Sequence, residues 1–69
     1  MIEVFQTNVQ DVSEAKKIVE MLTSQFPGSK INFDLDDCDK VLRVEGQDFL
    51  TGKIMLLVKE NGFACSILD

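Results

Sequence analysis

Ile31-Asn32-Phe33-Asp34-Leu35-Asp36-Asp37-Cys38-Asp39-Lys40-Val41-Leu42-Arg43-Val44 is the stretch that decides how this chain is built. Ile31, Phe33 and Leu35 alternate with Asn32 and Asp34, and Val41-Leu42-Arg43-Val44 alternates again. This is the period-2 pattern of strands with one buried face. The polar knot Asp36-Asp37-Cys38-Asp39-Lys40 between the two runs reads as a tight acidic turn, so together they form a hairpin. Everything on either side has to be fitted around that pair of strands.

Upstream, Ala15, Ile18, Val19, Leu22 and Phe26 recur at three- and four-residue intervals, which predicts a helix with one apolar stripe. Asp11 and Glu14 have the spacing of a capping box at its start, and Pro27-Gly28 ends it. Before the helix, Ile2 and Val4 alternate with Glu3 and Phe5 and predict a first strand, followed by the polar loop Thr7-Asn8-Val9-Gln10. Downstream of the hairpin, Gly46 breaks the run. Ile54, Leu57 and Val58, extended back by Leu50, share a helical face with Asp48 or Thr51 as candidate cap. Asn61-Gly62 closes that helix, and Phe63-Ala64-Cys65-Ser66-Ile67-Leu68 alternates as a last strand.

The order β-α-β-β-α-β is that of a ferredoxin-like α+β sandwich. The expected arrangement is an antiparallel sheet in order 4-1-3-2 with two helices on one face, built as a single domain over residues 1–69. The expected core is Ile2, Val4, Ile18, Leu22, Phe33, Leu42, Val44, Ile54 and Val58. The topology also gathers the loop after strand one, the turn around Cys38 and the Gly62-Phe63 approach to strand four at one end.

The chain has 69 residues, with 12 acidic against 7 basic side chains and a formal charge of −5. Such a balance repels phosphate backbones and anionic lipid, so neither nucleic acid nor membrane is an expected partner. Histidine, tryptophan and tyrosine are absent, which removes the commonest general base and the commonest nitrogen ligand; catalysis is not expected. The first residues show no basic region, cleavage site or long apolar span, so a cytoplasmic location is expected. There the two cysteines are expected as free thiols.

On the opposite phase to Ile2 and Val4, Phe5 and Val41 are expected to project from the open sheet face as an apolar surface for self-association or for a protein partner. Asp36, Asp37 and Asp39 lie at the neighbouring turn and extend that candidate interaction surface. Cys38, among these carboxylates, is the candidate metal ligand, a single thiolate that two chains would have to share to complete a soft two-sulfur site. Its plainer role is that of a turn residue. Cys65, in phase with Phe63 and Ile67, is expected as core filler.

Several of these positions carry a resemblance. Ala15, Ile18 and Leu22 before Pro27-Gly28, the Ile31 to Leu35 strand ending in Asp36, the Val41 to Val44 strand before Gly46, and Ile54, Val58 and Asn61-Gly62-Phe63 resemble the heavy-metal-associated domain family of small copper chaperones. The resemblance implies the same fold over nearly the whole chain. The family's copper chemistry resides in a Met-x-Cys-x-x-Cys loop. Here the two cysteine positions fall near Asp11 and Glu14, whose hard oxygens suit Mg²⁺ or Ca²⁺ far better than Cu(I). The expected function is accordingly a non-enzymatic binding or protein-interaction module without the soft-metal motif. The alternative is a metal-binding or metal-trafficking protein that uses Cys38 for a soft ion such as copper. No other cofactor is expected.

Overall fold

A computed structural model describes residues 1–47 and 49–68. Six elements follow one another: β1 (Ile2–Thr7), α1 (Val12–Gln25), β2 (Lys30–Asp34), β3 (Val41–Glu45), α2 (Thr51–Glu60) and β4 (Cys65–Ile67). The chain is α+β. Its strands form one sheet in the order β2-β3-β1-β4, which is β4-β1-β3-β2 from the opposite edge. Each neighbouring pair is antiparallel.

Local chemistry explains where the helices start and stop. Asp11 is the N-cap of α1, its Oδ1 accepting from the Ser13 amide at 2.8 Å and from the Ser13 hydroxyl at 2.9 Å. That satisfies one of the amides orphaned at a helix start. Glu14 does not close the box; its carboxylate lies 3.9 Å from Lys17 Nζ. The α2 helix starts differently. Asp48 lies outside the described residues, Thr51 is already helical, and the N-cap is Leu50, without a side-chain cap bond. Phe49 and Ile54 are both buried there, at the positions flanking a helix start where two apolar groups staple the entering chain to the first turn. At the other end Gly62 N–H donates to Lys59 C=O at 2.9 Å and Phe63 N–H to Val58 C=O at 3.4 Å. This is the paired closure that needs a left-handed residue just past the helix, and Gly62 supplies it with φ 91°.

One cluster of buried residues draws on both helices and on one face of the sheet. Ala15, Ile18 and Leu22 come from α1, Ile54 and Val58 from α2, and Phe5, Ile31, Leu42, Val44 and Cys65 from the strands, with Phe33 packed partly buried against them.

The structure reverses the expected phase of β1. Phe5 is fully buried and Thr7 is buried, whereas Ile2 is 50% exposed and Val4 half-buried. Both phases of the strand carry apolar side chains, so alternation alone does not choose between them. The aromatic ring removes more apolar area from water than either aliphatic does. The end of the strand and the loop after it also favour this phase, because Thr7 and Val9 lie two and four positions on and both are buried. The register follows: Phe5 sits opposite Leu42 and Glu3 opposite Val44, the inward residues of β3, while Val4 faces Arg43 and Ile2 faces Glu45. Val41 keeps its expected open-face position, half-buried.

Phe5→Ala should therefore destabilise the domain by about 3–5 kcal/mol, while Ile2→Ala should change stability by less than about 0.5 kcal/mol. Urea unfolding of the two variants checks this, and the reverse ranking would mean that β1 presents its other face.

Candidate functional site

Two places carry the candidate site: the turn between β2 and β3, which holds Asp36, Asp37, Cys38 and Asp39, and the layer boundary where α1 overhangs β2. The turn is held from several sides. Asp34 Oδ1 accepts from the Asp36 amide at 3.2 Å, and Asp37 Oδ1 from the Asp39 amide at 2.9 Å. Lys40 takes a left-handed φ of 47°, a region unfavourable for a residue with a Cβ. It is fixed there by its amide to Asp37 C=O at 3.0 Å and its ammonium to Leu35 C=O at 2.9 Å. The buried Thr7 hydroxyl donates to the Lys40 carbonyl and accepts from Val9 N–H at 3.3 Å. A buried polar group is thus satisfied while the end of β1 is tied to the turn.

The same end gathers the other expected neighbours. Ala64 N–H donates to Asn8 Oδ1 at 2.8 Å, joining the loop after β1 to the approach to β4. The two carboxylates at the resemblance's cysteine positions have local tasks, Asp11 as helix cap and Glu14 beside Lys17. Hydrogen bonds from Ser13 hold the Asp11 carboxyl below its usual range. These exposed oxygens do not fit a soft cation.

Cys38 is exposed in the turn. Its sulfur and one carboxylate oxygen each from Asp37 and Asp39 lie within 4.8 Å of one another. Both carboxylates already serve the protein: Asp37 closes the turn, and Asp39 accepts from Gln6 Nε2 at 3.2 Å. Asp36 is exposed beside them. Phe5, expected on the same interaction surface, is absent from it because its ring lies in the core. The open face instead carries Ile2 and Val4, with Leu68 bonded across from Val4 through Leu68 N–H to Val4 C=O at 2.9 Å.

The feature that sequence patterns did not single out is a groove of ≈ 540 Å³ between α1 and β2. Val12, Ala15 and Val19 form its helix wall and Ile31, Phe33 and Leu35 its strand wall, with Lys16, Glu20, Asp34 and Asp36 at the rim. It exists because β2 is an edge strand. The pairing pattern shows which backbone groups face it. Gly46 N–H donates to Met1 C=O and Leu68 N–H to Val4 C=O, so alternate residues of β3 turn toward β1 and the rest toward β2. With Lys30 opposite Glu45 and Asn32 opposite Arg43, the amides and carbonyls of Lys30, Asn32 and Asp34 bond β3. Those of Ile31 and Phe33 point out of the sheet. Two cues were legible: Val12 is apolar at the very start of a helix, and β2 lies next to only one other strand in the expected order.

Cys65 is buried, and desolvation pushes its thiol up from 9.0 to about 11. At neutral pH a thiol reagent should modify Cys38 alone in the folded protein and reach Cys65 only in denaturant, as peptide mapping would show. Because the folded state holds the Cys65 proton more tightly than the unfolded chain, the associated stability is complete below pH 9 and falls as pH rises toward 11. Urea midpoints of wild type should drop across that window more than those of Cys65→Ala; parallel curves would mean that Cys65 is solvated.

Compared with protein-family models, with curated proteins and with solved structures, the chain matches none.

Proposed function

We propose that this chain is a non-enzymatic protein-interaction module, a ferredoxin-like βαββαβ sandwich of heavy-metal-associated type that has dropped the soft-metal pair. The groove beside the outward-facing backbone of β2 is the observation that carries this reading. An extended partner segment laid there gains ladder hydrogen bonds from Ile31 and Phe33, and side-chain contacts with Val12, Val19 and Leu35. The lack of histidine in the chain, and the use of Asp11 as a helix cap, Asp37 as a turn closure and Asp39 as the acceptor for Gln6, support a non-catalytic role.

A photocrosslinking amino acid placed at Val12, on the groove wall, should give discrete protein adducts in the native cell. The same group at Glu60, exposed on α2, should give none of them. Equal adduct patterns from both positions, or none from Val12, would remove the groove as the binding surface.

The proximity of Asp37, Cys38 and Asp39 favours a second reading, a metal-trafficking protein that takes Cu(I) as cargo through Cys38. One exposed thiol per chain is too few for a tight soft site, so Cu(I) titration against a competing chelator should find no tight site in the monomer. Any weak binding should saturate near one ion per two chains and vanish in Cys38→Ser. Tight binding at one ion per chain that persists in Cys38→Ser would contradict both readings of this turn.

A further inference from the structure

We propose that β2 pairs with the β2 of a second copy of the chain, antiparallel and centred on Asn32, so that two four-stranded sheets become one continuous sheet. The proposal rests on the groove being a binding surface and names its occupant. The sequence of the strand, Lys30-Ile31-Asn32-Phe33-Asp34, is complementary to itself when reversed. About a twofold axis at Asn32, Lys30 of each copy falls opposite Asp34 of the other, and Ile31 falls opposite Phe33. Asn32 meets its own counterpart on the axis.

Backbone geometry selects the same register. The groups left pointing outward belong to Ile31 and Phe33, and in this alignment those two residues face each other across the junction, which is the condition for exchanging both ladder bonds. Side chains sort consistently. Ile31 and Phe33 project to the helix side, where α1 walls the groove, while Lys30, Asn32 and Asp34 are exposed on the other face. A shift of the axis to Ile31 would set Lys30 against Asn32 and leave Asp34 opposite a glycine, losing both ion pairs.

Two of the devices that commonly block such pairing are absent from this edge, and the charges it does carry, Lys30 and Asp34, are complementary in this register. β2 has no proline and matches β3 residue for residue from Lys30 to Asp34 without a bulge. The opposite edge, β4, spans only three residues and offers a much shorter ladder. The charge of −5 per chain does not oppose the contact strongly. At a rise of about 3.3 Å per residue the two acidic turns lie roughly 25 Å apart, some three Debye lengths at physiological ionic strength.

Sedimentation equilibrium from micromolar to millimolar concentration should show a monomer–dimer equilibrium. Over the same range the Ile31 and Phe33 amides should gain hydrogen-exchange protection. Lys30→Asp alone, or Asp34→Lys alone, places like charges at both ends of the junction and should weaken the dimer by about 10-fold or more. The double swap restores the pairing and should recover it. A strict monomer at millimolar concentration overturns the proposal. So does a dimer whose concentration-dependent protection lies away from β2, or one that the double swap does not rescue. If a swapped variant unfolds, amide protection in the wild type decides alone. Groove adducts to a different protein, with the wild type monomeric, would overturn self-pairing while leaving the interaction module standing.

Discussion

Burial of Phe5 is the constraint on which the rest of this structure depends. β1 is an interior strand, bonded to β3 on one side and β4 on the other, so its phase is imposed on both neighbours. A slip of one residue would turn the ring to solvent and place Ile2 and Val4 against the helices. It would also carry Thr7 out of reach of Lys40. With Phe5 inward, Leu42 stands opposite it on β3 and Ile67 on β4, and it joins Ile18, Leu22, Ile54 and Val58 of the helices in one buried cluster. Each large side chain buried in this way contributes about 1.5–3 kcal/mol. In a domain of 69 residues, which exposes a large share of its surface even when folded, no such contribution is spare.

How far the sequence discloses this depends on how one-sided each element is. The helices are legible because their apolar positions occupy one stripe: Ala15, Ile18 and Leu22 are all buried, as are Ile54 and Val58. β3 is equally legible, since Arg43 and Glu45 can only face water while Leu42 and Val44 face inward. β1 is not, because Ile2, Val4 and Phe5 distribute apolar side chains over both phases. What resolves it lies at and beyond the end of the strand, in Val9 and in the need for the Thr7 hydroxyl to meet Lys40 and the Val9 amide. Those are tertiary facts with no local signature. The groove was only hinted at for a similar reason: Val12 at the helix start and the edge position of β2 are local cues, but Val19 and Phe33 look like ordinary members of their own elements, and only the meeting of these side chains across a sheet edge makes a surface.

The acidic turn shows how composition can mislead about chemistry. Four aspartates around Cys38 look like a ligand set when read as a string. In three dimensions Asp34 and Asp37 receive turn amides, and Asp39 holds Gln6. The positive φ of Lys40 is kept by three bonds, two donated by its amide and ammonium and one accepted by its carbonyl from the Thr7 hydroxyl. A turn that must reverse the chain between β2 and β3 therefore uses its polar atoms to define a shape.

The interior placement of β1 has a consequence for the order of events during synthesis. This strand leaves the ribosome before either of its neighbours, and β3 and β4 follow it by about forty and sixty residues. Helix α1 and the β2–β3 hairpin can form from contacts close in sequence, but the ladder on both sides of β1 must wait for distant partners. Until β3 arrives, Phe5 has no strand to be buried against, and the nascent chain carries its most important apolar group in water. Completion by β4, only three residues long and bonded to β1 alone, comes last of all. This interior strand is thus made before both of its partners and is among the last of the six elements to be secured, leaving an interval in which the growing chain is open to wrong strand pairing.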